Sequence, residues 1–186
     1  MESGEREGRR FLSGREEDFE ECVALYRDGL FFFLYRMVGS EQDAEELAID
    51  AFAELYLRRD RYDDGRSSVK TYLYTIARSR ALDFLRKKRR HQAYASSLEE
   101  LPELSGTGEL PEEQAERSAR DKAVARAMQK LGPETRQALY LFYFEKMSYG
   151  EIASVMKKNS KQIDNLLQRA KKEMKEFLGE EGRSLL

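Results

Sequence analysis

Histidine and cysteine each occur once in this 186-residue chain, proline occurs three times and tryptophan is missing. Each scarcity removes a class of protein. A single cysteine, Cys22, excludes an internal disulfide and points to a reducing compartment; with His91 the one histidine, no Cys/His cluster is spaced for zinc. No GxGxxG or GxxxxGK loop and no nucleophile motif is present, and His91 sits beside a run of arginines and lysines, so no enzyme is expected. Long apolar runs are lacking too. LFFFLY, Leu30 to Tyr35, falls far short of the roughly 18 residues of a membrane span. It reads as a turn of a buried helix, and membrane insertion is not expected. The opening stretch MESGEREGRRFLSGREED is too charged for a secretory signal, which leaves the protein in the cytoplasm. An excess of one charge is also absent: 33 basic and 35 acidic residues give a net charge of −2. Any basic surface must therefore be local.

What is present is helical. The hydrophobic share of 40% is enough for a packed core, and the apolar positions recur at three- and four-residue steps. Phe19, Val23, Tyr26, Leu30, Phe33, Leu34 and Met37 share one face that ends near Gly39. Ser40 then caps a second helix with Ala44, Leu47, Ala48, Ala51, Phe52, Leu55 and Tyr56 inward and Glu41, Asp43, Glu45 and Glu46 in its first turns. Asp63, Asp64 and Gly65 signal a turn, and Ser67 or Ser68 starts a third helix through Val69, Tyr72, Leu73, Ile76, Ala77, Ala81, Phe84 and Leu85 to RKKRR, Arg86 to Arg90. Pro102 and Pro111 fall with Gly106 and Gly108 in an acidic stretch whose Leu98, Leu101, Leu104 and Leu110 are too isolated for a core. That stretch reads as a flexible linker. The fold class is all-α: a tail 1–14, a helical domain 15–91, a linker 92–118, a second helical domain 119–180 and a tail 181–186. The run ALYLFYF in the second domain suits a strand if taken alone, but its length and flanks favour a helix.

Two segments carry chemistry. In SYGEIASVMKKNSKQIDNLLQRAKK, Ser148 and Glu151 form a capping box, a turn follows at Lys157, Lys158 and Asn159, and a second helix starts at Ser160. Two capped amphipathic helices joined so tightly make a helix-turn-helix. Ile163, Leu166, Leu167, Ala170 and Met174 keep the inward spacing, leaving Ser160, Lys161, Gln162, Asn165, Gln168, Arg169 and Lys172 outside. Amides and arginine pair with base edges, and lysines neutralise phosphates. A solvated bundle face has the same composition, and Asp164 opposes a phosphate contact. The second segment, RSSVKTYLYTIARSRALDFLRKKRR, mixes Arg66, Lys70, Arg78, Arg80 and Arg86 to Arg90 with Tyr72 and Tyr74, a combination suited to an opened single strand. Tyr72 itself is better assigned to the core.

Together these blocks resemble a family, the extracytoplasmic-function (ECF) sigma factors of bacterial RNA polymerase, over about Phe19 to Leu178. DAEELAIDAFAELY resembles the helix that docks on the polymerase clamp, YDDGRSSVKTYLYTIARSRALDFLRKKRR the promoter-melting segment, and LGPETRQALYLFYFEKMSYGEIASVMKKNSKQIDNLLQRAKKEM the domain that reads the upstream promoter element. The resemblance implies sigma regions two and four joined by a linker along the polymerase channel, with no cofactor. It places Asp43, Glu46, Leu47, Asp50 and Phe52 at or beside the core-polymerase contact, with core packing the simpler role for Phe52. It places Asp64, Gly65, Arg66, Ser67, Ser68, Lys70, Thr71, Tyr74, Arg78, Ser79, Arg86 and Lys87 toward the non-template strand of the minus-ten element, where a flipped base needs a pocket. It places Ser160, Lys161, Gln162, Asn165, Gln168, Arg169 and Lys172 toward the minus thirty-five element. The family often carries asparagine at Ser79, tryptophan at Tyr72, glycine in the turn occupied by Lys157 and Lys158, and a basic residue at Asp164. Expected partners are core RNA polymerase, promoter DNA and an inhibitory anti-sigma factor. Two rivals remain at this point: a free-standing helix-turn-helix regulator and a helical adaptor that binds only protein.

Overall fold

The structure, a computed structural model, describes Phe11, residues 15–95 and residues 119–178. The chain divides into two compact units, residues 1–105 and 106–186. The described residues contain seven α-helices, one 3-10 turn and no strand. Most of the proposed linker, with its four leucines, and the C-terminal tail lie outside the described residues. No described helix is long and apolar enough to cross a membrane.

The first unit contains α1 (Glu16–Val38), α2 (Glu41–Leu57), a 3-10 turn (Arg59–Arg61) and α3 (Val69–Ala95). Helix α1 begins with Glu16, Glu17 and Asp18, charges favoured by the helix dipole. It stops at Gly39, whose left-handed φ of 74° lets its N–H return to Tyr35 O at 2.8 Å. The Ser40 hydroxyl accepts from Asp43 N at 3.3 Å and starts α2. Ser68, rather than Ser67, caps α3: its hydroxyl accepts from Thr71 N at 3.2 Å. The three helices pack pairwise around Leu30, Phe33, Leu34, Ala44, Leu55, Val69, Leu73 and Tyr74. Helix α3 continues four residues past the expected domain boundary at 91, so residues 92–95 are helix, not linker.

The second unit contains α4 (Ala119–Gln129), α5 (Pro133–Tyr143), α6 (Tyr149–Met156) and α7 (Ser160–Leu178). Pro133 occupies the first turn of α5, where its missing N–H costs no bond. ALYLFYF is therefore helical. Helix α7 lies against α4, α5 and α6, closing a core of Leu131, Leu141, Ile152, Ile163 and Leu167. Buried Arg136 on α5 donates Nη2–H to Leu131 O at 3.3 Å, and desolvation lowers its pKa from the ordinary value.

Local chemistry fixes the α6–α7 pair at both starts. Ser148 N donates to Glu151 Oε2 at 2.9 Å while Glu151 N donates to Ser148 Oγ at 3.3 Å, a reciprocal capping box. Helix α6 ends with Lys157 in the left-handed region (φ 54°, ψ 47°), and Lys158 N donates to Ala153 O at 2.9 Å. Helix α7 starts at Ser160 as expected, and its cap is Asn159. Gln162 N donates to Asn159 Oδ1 at 2.8 Å, and Asn159 N donates to Gln162 Oε1 at 2.9 Å. Lys158 Nζ also pairs with Glu134 Oε1 at 3.0 Å, tying the turn to the start of α5.

Candidate nucleic-acid and polymerase interfaces

Helix α7 separates its faces cleanly. Ile163, Leu167, Ala170 and Met174 are buried, whereas Ser160, Lys161, Gln162, Asn165, Gln168, Arg169 and Lys172 are all exposed. The seven do not have equal chemistry. Gln162 spends its carbonyl oxygen on the cap. Arg169 Nε is 2.6 Å from Glu173 Oε1, and that hydrogen bond, followed by the carboxylate's charge, raises its pKa above the ordinary value. Its guanidinium has to exchange this partner, or share it, to meet a guanine edge. Asp164 is half-buried at the edge of the face.

The α2–α3 loop is pinned at both ends. Asp63 Oδ1 accepts from Gly65 N at 3.0 Å, Asp63 O accepts from Arg66 N at 3.1 Å, and the Tyr62 hydroxyl donates to Ser67 O at 2.8 Å. Gly65 and Arg66 are exposed at the tip, while Asp64, Ser67 and Ser68 are half-buried. On α3 the candidates separate into two groups. Lys70 and Ser79 are half-buried and Arg86 and Lys87 exposed, but Thr71, Tyr74 and Arg78 are buried. Tyr74 is wholly enclosed, its ring 5.3 Å from that of Phe33, so it is a core residue and not a platform for an unpaired base. Lys70 Nζ lies over the Tyr26 and Tyr74 rings at 5.7 and 5.9 Å, which links this cation to the core below. Tyr72, assigned to the core from the sequence, is half-buried and packs on Tyr62 with ring centroids 5.5 Å apart. Arg86 pairs with Asp83 one turn earlier.

Helix α2 faces α3 with acids and solvent with a mixed surface. Asp43 pairs with Lys88 at 3.2 Å; Asp50 and Glu54 both hold Arg80, the former at 3.5 Å. Glu46 is exposed. Leu47 and Phe52 are 7% and 8% exposed, so both belong to the core and neither offers a contact to a docking protein. Sequence periodicity missed the exposed apolar residues of the same helix: Ile49 is 68% and Leu57 79% exposed, with exposed Ala53 midway between them. Their four-residue spacing, off the inward stripe, is the signal that would have found them.

Sigma-70 region 2 matches residues 22–91, most of the first unit's helices, and Sigma-70, region 4 matches residues 121–174 in the second. The RNA polymerase sigma factor CarQ of Myxococcus xanthus is 30% identical over 171 residues, 92% of this chain and 95% of its own. The chain belongs to the ECF sigma factors. As a sigma factor it directs core RNA polymerase to promoters at the start of transcription, and this membership does not favour the regulator or adaptor readings. SigW of Bacillus subtilis is 28% identical to this sigma factor, spanning 77% of this chain and 79% of its own. Two solved structures share the fold. RpoE of Bartonella quintana, in complex with the anti-sigma factor NepR, gives a TM-score of 0.73 at 22% identity, covering 87% of this chain and 97% of that one. CnrH, in complex with the cytosolic domain of CnrY, gives 0.64 at 19%, covering 94% and 96%.

Proposed function

We propose that this sigma factor divides its task among three surfaces. The outer side of α2, with Glu46, Asp50, Ile49 and Leu57, docks on core polymerase, apolar contact supplying affinity and carboxylates guiding the encounter. The loop from Asp64 to Ser68, with Lys70, Ser79, Arg86 and Lys87 along α3, receives the opened non-template strand of the minus-ten element. The exposed face of α7 enters the major groove of the upstream element, Asn165, Gln168 and Arg169 toward base edges and Lys161 and Lys172 toward phosphates. The observation that carries this reading is the segregation of α7, whose seven candidate residues are all exposed opposite a buried apolar stripe.

The chain acts by binding, with no catalytic step of its own, on the cytoplasmic transcription machinery. Residues 15–95 and 119–178 form its two working domains. The complex of RpoE with the anti-sigma factor NepR supports an anti-sigma partner for this chain as well. The test of the α7 placement is run-off transcription with core polymerase. Arg169→Ala is expected to weaken promoters that depend on the upstream element by about tenfold, the loss of one bidentate base contact. Lys175→Ala, exposed on the same helix, is expected to leave them within about twofold. Equal effects overturn the placement.

A further inference from the structure

Tyr62 is buried at the base of the α2–α3 loop, 6% exposed, between two other rings. The Phe11 ring meets it edge-on at 5.6 Å, and Tyr72 on α3 lies 5.5 Å away at a tilt of 36°. From this socket the Tyr62 hydroxyl donates to Ser67 O at 2.8 Å, closing residues 62–67 into a ring. Within the ring Asp63 orders the backbone through Gly65 N and Arg66 N, and at its far end Ser68 caps α3 through Thr71 N. The backbone of the loop is thus fixed from beneath by an aromatic anchor, leaving Gly65 and Arg66 exposed at the tip and Asp64 half-buried beside them.

We propose that Tyr62, seated between Phe11 and Tyr72, is a positioning residue for promoter selectivity: its hydroxyl holds the 63–68 loop in the one shape that accepts a minus-ten base. The inference rests on the reading that this loop receives the opened strand. A pocket for a flipped base discriminates through rigid placement of a few polar groups, and a loop free to shift by an ångström accepts more than one base. The ring of Tyr62 supports packing; the hydroxyl contributes the loop closure. These two roles are separable by removing one oxygen.

The experiment is run-off transcription by the full chain with core polymerase on promoters that differ at single minus-ten positions, using Tyr62→Phe and Asp64→Ala. Tyr62→Phe is expected to keep the unfolding midpoint within a few degrees and polymerase affinity unchanged. It should reduce the ratio of transcription from preferred over substituted minus-ten bases by about fivefold, what one ordinary hydrogen bond corresponds to. Restricting the comparison to promoters with an intact upstream element keeps α7 out of the readout. If Asp64→Ala lowers the ratio and Tyr62→Phe does not, the positioning role is overturned while the loop reading stands. If neither lowers it, the loop reading falls and the proposal with it. Loss of output on every promoter in proportion, with an unchanged ratio, assigns Tyr62 to general folding and also overturns the proposal.

Discussion

Lys157 illustrates how one residue in an unfavoured conformation can serve a motif. A non-glycine side chain in the left-handed region costs about 1–2 kcal/mol, partly offset because lysine orders less backbone entropy on folding than glycine does. Lys157→Gly is therefore expected to stabilise the second unit by about 0.5 kcal/mol, seen as a higher denaturant midpoint with unchanged slope. A decrease would mean that its ammonium contributes more than the backbone strain removes. The inward residues of α2 call for a different test. Phe52→Ala is expected to cost about 3–5 kcal/mol of stability, so any loss of polymerase binding follows unfolding. Ile49→Ala is expected to leave the unfolding midpoint near its starting value while weakening binding to core polymerase; unchanged binding would remove Ile49 from the docking surface. The sequence spelled out local contacts at this scale and hid distant ones. Ser40, Gly39, Ser148 and Glu151 signal through partners three or four residues away. Tyr74 looked like a base platform because its neighbours are cations, whereas its ring packs against that of Phe33, far back in the chain.

At the scale of the helix, starts were more legible than ends or surfaces. The start of α7 at Ser160 was legible, and the structure adds its cap, the reciprocal pair of Asn159 and Gln162. Asn159→Ala is expected to cost about 1 kcal/mol, and Ser160→Ala no more than a few tenths, in denaturant unfolding of the full chain. The reverse order would assign the cap to Ser160 instead. Helix α3 shows why amphipathic patterning failed where charge was dense. Its apolar positions gave the core stripe, but Thr71 and Arg78 lie on that stripe's flank and are buried with it. A polar type at a helical period does not by itself report which side of the stripe it joins.

Across the molecule, near neutrality conceals an ordered arrangement of charge. Asp43, Asp50 and Glu54 on α2 meet Lys88 and Arg80 on α3, so part of the basic helix is balanced internally. On α7 the cations face outward, and promoter binding by the assembled polymerase should fall with salt. Lys172→Ala is expected to reduce the slope of log affinity against log salt by about 0.9, whereas Arg169→Ala, on the proposal that this residue meets a base edge, lowers affinity with little change of slope. Equal slope changes would place both residues on the phosphates. The two-unit organisation was legible because glycine, proline and isolated leucines mark the middle of the chain; the docking of Phe11 on Tyr62 was not, since a single phenylalanine in a charged opening stretch carries no periodicity. That docking matters at the bench. An affinity tag or fluorophore that displaces Phe11 takes one ring from the anchor under the loop. A preparation altered in this way can look sound by yield and melting temperature and still initiate at different promoters.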